Sequence, residues 1–194
     1  MLTETLQFLV RTLAELFVLV LLLRFYLQVA RASFRHPLAQ FCIALTNFLV
    51  VPARRLIRSI HGYDTATLAL AWLVSLIANV LMLTLNPLPY DFTAGATWAG
   101  LSLLSLLDVF RLSLYLIMGA VLVQAVLSWV NPYNPLAPVL DALTRPLLQP
   151  FRRAVVGGVD LSPLILILLI QVILMLPVRM LEASFLTQIK YALS

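Results

Sequence analysis

The sequence predicts an all-α, polytopic membrane protein with four transmembrane helices in two parallel tandem repeats. Each repeat runs span, amphipathic interfacial segment, span. Three observations predict this. Of 194 residues, 62% are hydrophobic and 11% charged, against about 25% charged in soluble domains. Four apolar runs, at 12–30, 65–85, 112–130 and 161–181, reach the roughly 20 residues a helical span needs. A block of residues also recurs at a spacing of 98, and the length leaves no spare polar stretch for a separate soluble domain.

The first run opens as "MLTETLQFLVRTLAELFVLVLLL", with Glu4, Arg11 and Glu15 inside it and no basic residue ahead of it. It reaches Arg24 without a small-x-small cleavage site, so it is expected to remain as the first span and not to be removed as an export signal. The first and third runs extend back towards Thr3 and Trp98 as longer helices emerging from the bilayer. "NPLP" at 86–89 and "NPYNP" at 131–135 punctuate the chain after the second and third spans.

Basic residues set the orientation. Arg31, Arg35, Arg54, Arg55 and Arg58 lie between spans one and two, and Arg145, Arg152 and Arg153 between spans three and four. The connection between spans two and three carries only Asp91. The positive-inside rule therefore places both Arg-bearing segments in the cytoplasm and both termini outside.

Residues 37–55 and 135–153 share ten identities in nineteen positions, among them Pro37/Pro135, Thr46/Thr144, Pro52/Pro150, Arg54/Arg152 and Arg55/Arg153. A two-residue gap then aligns Gly62 and Asp64 with Gly158 and Asp160. The chain accordingly divides into a first repeat at 1–86, an outer loop at 87–97 and a second repeat at 98–194.

Within the second copy, Leu136, Val139, Leu140, Leu143, Leu147 and Leu148 share one helical face, and Asp141, Arg145 and Gln149 mark the other. The first copy sets Leu38, Phe41, Cys42, Leu45, Phe48 and Leu49 on its apolar face. Such segments suit the headgroup layer, with the Arg pairs on anionic lipid; a re-entrant segment lining a cavity is the alternative. Pro52 and Pro150 are expected to end or kink these helices. Asp64 or Thr65, and Asp160 or Ser162, suit N-caps, with Pro163 at the first helical turn; pairing of the aspartates with arginines or a cation is the other reading.

The stretch "NPYNPLAPVLDALTRPLLQPFRRAVVGGVDLSPLILILLIQVIL" resembles the YggT family (YlmG in some lineages) of small bacterial and plastid membrane proteins. The motifs that carry the likeness are Asn131, Pro132, Asn134 and Pro135, then Pro150 with Arg152 and Arg153, then Gly157, Gly158, Asp160 and Pro163. Val155 and Val156 stand where prolines are expected, and the first copy has "SFRHP" and "TAT" in place of two motifs. The resemblance implies a non-enzymatic role in the bacterial inner membrane, linked to osmotic-stress tolerance and to envelope or division processes. Plastid relatives are associated with cytochrome assembly and nucleoid distribution.

The residues themselves offer no catalytic set. Cys42 is the single cysteine, and His36 and His61 are the two histidines, too few for a disulfide, thiolate cluster or zinc site. No HExxH, phosphate loop or nucleophile elbow occurs, so neither an enzyme nor a cofactor is expected. Arg24, Gln28 and Arg31 share a face that can snorkel to headgroups. Arg11 with Glu15, and Asp108 with Arg111, read as solvated outer helix ends, while Asn79 and Gln171 sit mid-span, where hydrogen bonds between helices are the default. The expected function is a scaffold or assembly factor. Its candidate binding residues are Arg54, Arg55, Arg58, Arg145, Arg152 and Arg153, and its partners are anionic lipid headgroups, membrane proteins or further copies of itself, with no specific nucleic acid. The rival expectation is a small oligomeric channel or an osmolyte or ion transporter.

Overall fold

The computed structural model describes residues 2–32, 36–57, 59, 62–86, 92–131, 133–151, 155–156 and 159–191. Its helices are α1 (Leu2–Val29), α2 (Pro37–Leu56), α3 (Thr65–Thr84), α4 (Gly95–Val130), α5 (Ala137–Leu148), α6 (Ser162–Ile173) and α7 (Arg179–Tyr191). A 3-10 turn, Gln149–Phe151, follows α5, and a π-turn, Leu174–Val178, joins α6 to α7. Two short strands, β1 (Val155–Val156) and β2 (Val159–Asp160), pair antiparallel ahead of α6.

Among the described residues, five helices are long and apolar enough to cross a membrane: α1, α2, α3, α4 and the rod Ser162–Ile189. The sequence supplies four obvious apolar runs; the fifth helix is α2, the least apolar of the set. Pro52 does not end it, because the helix continues through Arg54 and Arg55 to Leu56. The helical bond that proline forfeits belongs to the carbonyl of Phe48, and Phe48 lies on an exposed face. Pro150 falls inside the 3-10 turn that closes α5.

Local chemistry explains the breaks. α1 stops where Arg31 takes φ +52, with Ala32 N–H donating to Leu27 carbonyl and Arg31 N–H to Gln28 carbonyl, both at 3.0 Å. This is a Schellman stop with arginine at the position that usually holds glycine. Gly62, at φ +81, supplies the left-handed residue of the turn into α3. Within the rod, Pro177 lies in the π-turn, where a wider helical turn absorbs the missing proline donor.

Packing centres on α4, which touches α1, α3, α5, α6 and α7. One core joins Val18, Leu21 and Leu22 of α1 with Val50 of α2, Leu70 and Ala71 of α3, and Val109 and Leu112 of α4. Two smaller cores pin the rod to α4: Val121 with Leu166 and Ile170, and Leu101 and Leu104 with Ile189. Gly100 permits the second, since a Cβ there would sit 2.7 Å from Ile189 Cγ1. Outward faces stay apolar, as at Leu13, Phe48, Leu164 and Met175, a pattern suited to lipid.

Candidate functional site

Two polar assemblies stand out against this apolar frame. The first gathers at the end of α1. Arg24 is buried, 6% exposed, and its Nη1 donates to Thr46 Oγ1 at 2.7 Å and to Asn47 Oδ1 at 2.9 Å. Thr46 Oγ1 donates in turn to the Cys42 carbonyl at 2.6 Å. Two residues beyond Pro52, Arg54 reaches Asp64 with Nε at 3.3 Å and Nη2 at 2.5 Å. Asp64 also accepts from Thr67 N–H at 3.4 Å and from Thr67 Oγ1 at 2.5 Å, so one carboxylate both caps α3 and ties it to α2. Burial alone would raise the Asp64 pKa; the hydrogen bonds from Arg54 and Thr67 and the Arg54 charge outweigh it, and the net value lies below 3.8.

The second half holds a similar pair of joints, with a neutral clamp and a second aspartate. Thr144, 98 residues after Thr46, donates to Gln124 Oε1 of α4 and lies 2.9 Å from the Leu140 carbonyl. Asp160 Oδ1 accepts from Ser162 N–H at 2.9 Å. Ser162 Oγ sits 2.5 Å from that carboxylate and 2.8 Å from the Phe151 carbonyl, linking the 3-10 turn to α6.

The remaining sequence candidates are distributed around this end. Arg55 and Arg145 are exposed. Asn131 follows the last residue of α4, and Asn134 Oδ1 accepts from Leu136 N–H at 2.9 Å beside Pro135. Pro163 occupies the first turn of α6. Arg58, Arg152, Arg153, Pro132 and Gly158 lie outside the described residues. The predicted apolar face of α2 divides: Cys42 is buried with Ala39, Thr46 and Val50, whereas Phe41, Leu45 and Phe48 are exposed. Small residues let α2 sit close to the bundle, and its large ones turn outward.

The second assembly lies well along the helices. Arg111 of α4 contacts Asp108 at 2.8 Å, Glu15 of α1 at 3.6 Å and Glu182 of α7 at 3.5 Å. Arg11 donates to Glu15 at 3.0 Å. Asn79 of α3 donates to Asp108 at 2.9 Å and to Ser105 at 3.0 Å. Glu15 is 13 residues after Leu2 and 14 before Val29, about 20 Å from either end of α1 at 1.5 Å per residue. These groups are therefore not separate solvated helix ends: Asp108 and Arg111 are 16% and 14% exposed, and four helices converge on them. Spacing reveals Arg11–Glu15 and Asp108–Arg111 as neighbours, but Glu182 escapes it. Its only sequence signal is an acidic residue soon after a proline-interrupted apolar run. Gln171, in contrast, is exposed and does not join Asn79. A cavity of about 400 Å³ opens beside the network, lined by Gln7, Asn79, Asn86 and Glu182 among others.

Comparison with known proteins now places the chain. The CCB3/YggT family model matches residues 3–85 and 103–181. The chain belongs to the CCB3/YggT family. It is 40% identical to the uncharacterized protein YggT of Escherichia coli K12 over 185 residues, covering 93% of each chain. An uncharacterized Pseudomonas aeruginosa relative is 38% identical, covering 91% of this chain and 89% of its own. One from Vibrio alginolyticus is 34% identical, covering 87% and 90%. No solved structure matches the chain significantly. The two family segments bracket both threonine clamps and both Asp-led helix starts, so the shared sequence coincides with the polar joints described above.

Proposed function

We propose that this YggT-family chain is a non-enzymatic inner-membrane scaffold or assembly factor acting in envelope, division or osmotic-stress processes. In this reading it has four spans in two tandem repeats, with α2 and α5 lying across the cytoplasmic ends and both termini outside. One observation carries the reading. The middle of α2, through Thr46 and Asn47, and its end, through Arg54, both bind the same end of the antiparallel α1–α3 pair. A crossing helix would carry its far end about 30 Å away. α2 thus suits an interfacial helix with Phe41, Leu45 and Phe48 towards acyl chains and Arg55 towards anionic headgroups. The two family segments, 3–85 and 103–181, support the repeat.

Arg54 is engaged by Asp64, so the test separates it from the exposed arginines. Replacing Arg55, Arg145, Arg152 and Arg153 together with glutamine is expected to reduce retention of anionic phospholipid and capture of membrane partners. Unchanged lipid retention, partners and localisation would remove the proposal. The charged cavity favours a second reading, an oligomeric ion or solute pathway; flux into proteoliposomes of the pure protein separates the two.

A further inference from the structure

We infer that the apolar crevice between α1, α4 and α5 holds one acyl chain of an anionic phospholipid, with the headgroup on Arg31. The crevice encloses about 700 Å³, within the roughly 300–1,000 Å³ of ligand pockets. Among the described residues no charged side chain lines it, and α5 contributes one helical face, Leu136, Leu140, Leu143 and Leu147. Apart from Tyr26 and Tyr115, the polar side chain on its wall is that of Thr144, whose hydroxyl is committed to Gln124. Such a lining suits hydrocarbon.

The dimensions separate a lipid from a second protein helix. The lining residues run along α1 from Leu19 to Ala30 and along α4 from Tyr115 to Val123, about 16 Å and 12 Å at 1.5 Å per residue. That is close to half the roughly 30 Å hydrocarbon thickness, the depth of one leaflet. A spanning helix of another copy would need a seam of full length. Packing alone does not select one lipid over another, since an acyl chain leaves one hydrocarbon surrounding for another. Charge at the mouth does. Arg31 directly follows the lining residues Val29 and Ala30 and is exposed, and its guanidinium has no ion-pair partner among the described residues. It holds that place at φ +52, where glycine would fit at lower cost; what glycine lacks is the cation. The walls come from both family segments, α1 from 3–85 and the lining parts of α4 and α5 from 103–181, so the acyl chain would bridge the two. This site rests on the lipid reading above but is separate from its arginines: Arg145 lies on the opposite face of α5 from the four lining leucines.

The test uses the full chain, released from nanodiscs into mild detergent. Native mass spectrometry is expected to find one phosphatidylglycerol retained per chain, where phosphatidylcholine with the same acyl chains is lost. A phosphatidylglycerol with a photoactivatable group in its acyl chain is expected to label residues 19–30, 115–123 and 136–147. Arg31→Gln is expected to lower the preference for the anionic lipid about fivefold. An added Cβ at Gly119, on the crevice wall, would meet nothing within 4 Å. Gly119→Phe can therefore fill the space, and it is expected to abolish retention without lowering the unfolding temperature. Absence of a retained lipid overturns the inference in the unaltered chain, as does label spread evenly over outward residues such as Phe48, Leu164 and Met175. Undiminished labelling in Gly119→Phe, an unchanged preference in Arg31→Gln, or a dimer that excludes the lipid would each overturn it too. The variant with Arg55, Arg145, Arg152 and Arg153 all replaced by glutamine is expected to keep this one lipid. Its loss there would assign the lipid to the exposed arginines and overturn the crevice, whereas a quadruple variant unchanged in every respect removes only the surface reading.

Discussion

Arg24 and Thr46 form a buried clamp between α1 and α2 at 2.7 Å, and Gln124 and Thr144 form its uncharged counterpart between α4 and α5. The same joint is therefore built once with a guanidinium and once with an amide. Arg24→Gln is expected to retain much of the clamp. Arg24→Leu leaves Asn47 without its donor and is expected to cost about 1–3 kcal/mol, read as denaturant unfolding in detergent. Equal losses in the two variants would show that the joint rests on packing alone.

The stop of α1 supplies a prediction of opposite sign. Arg31 adopts φ +52, a conformation that costs a side-chain-bearing residue about 1 kcal/mol relative to glycine. Arg31→Gly is expected to stabilise the chain by about that amount while weakening its retention of anionic lipid. A stability loss would mean that the arginine side chain itself holds the turn.

Gly100 faces Ile189 so closely that an alanine methyl would stand 2.7 Å from Ile189 Cγ1. Gly100→Ala is expected to destabilise by about 1–3 kcal/mol through overpacking. Ile189→Ala in the same chain should recover part of that loss, and a double-mutant cycle measures the coupling.

Acid should open the α2–α3 tie. The folded-state pKa of Asp64 is depressed below 3.8. Its contribution is therefore complete above the unfolded value, about 3.9, and disappears as pH falls through the lower folded value. The unaltered chain is expected to lose stability on acidification in that window. Asp64→Asn keeps a competent cap but loses the charge-assisted bonds from Arg54, so it should be less stable by about 1 kcal/mol near neutral pH and lack that part of the acid response. Parallel pH curves for the two proteins would exclude the tie as their source.

Arg111 has the most to lose by truncation. Arg111→Leu removes the cation shared by three carboxylates, leaving Asp108 only Asn79 and Glu15 only Arg11, and is expected to cost about 3–5 kcal/mol. Arg111→Lys should recover only a fraction, because a single ammonium cannot reproduce contacts to three carboxylates on three helices. Thermal unfolding in nanodiscs compares the two.

The legible parts of the sequence were those governed by local pattern. Apolar runs marked α1, α3, α4 and the rod, and the recurring Thr46/Thr144 block marked α2 and α5. Asp64 advertised the start of α3 because capping acts within three residues; at α6 the cap position is Leu161, without a side-chain cap bond, and Asp160 holds the Ser162 N–H from one residue further out. The full length of α2 was harder, since Pro52, Arg54 and Arg55 resemble an ending while the backbone continues as helix to Leu56. The charged network was least visible. Glu15, Asn79, Asp108, Arg111 and Glu182 lie far apart in the chain, and only packing of four helices makes them neighbours. The π-turn at Leu174–Val178 changes the helical phase of everything after it, so the facing of Glu182 and Ile189 could not be counted forward from Ser162.

That network also bears on how far each half of the chain depends on the other. Glu15 and Asn79 belong to the segment 3–85, Asp108 and Arg111 to the segment 103–181, and Glu182 directly follows the latter. A dimer of two leading halves would bury Arg24 twice and lack Arg111; a dimer of two trailing halves would lack Glu15 and Asn79. The polar groups of the network are thus divided along the chain, and neither segment holds the full set. Expressed as separate polypeptides, the halves should assemble with each other and neither with itself.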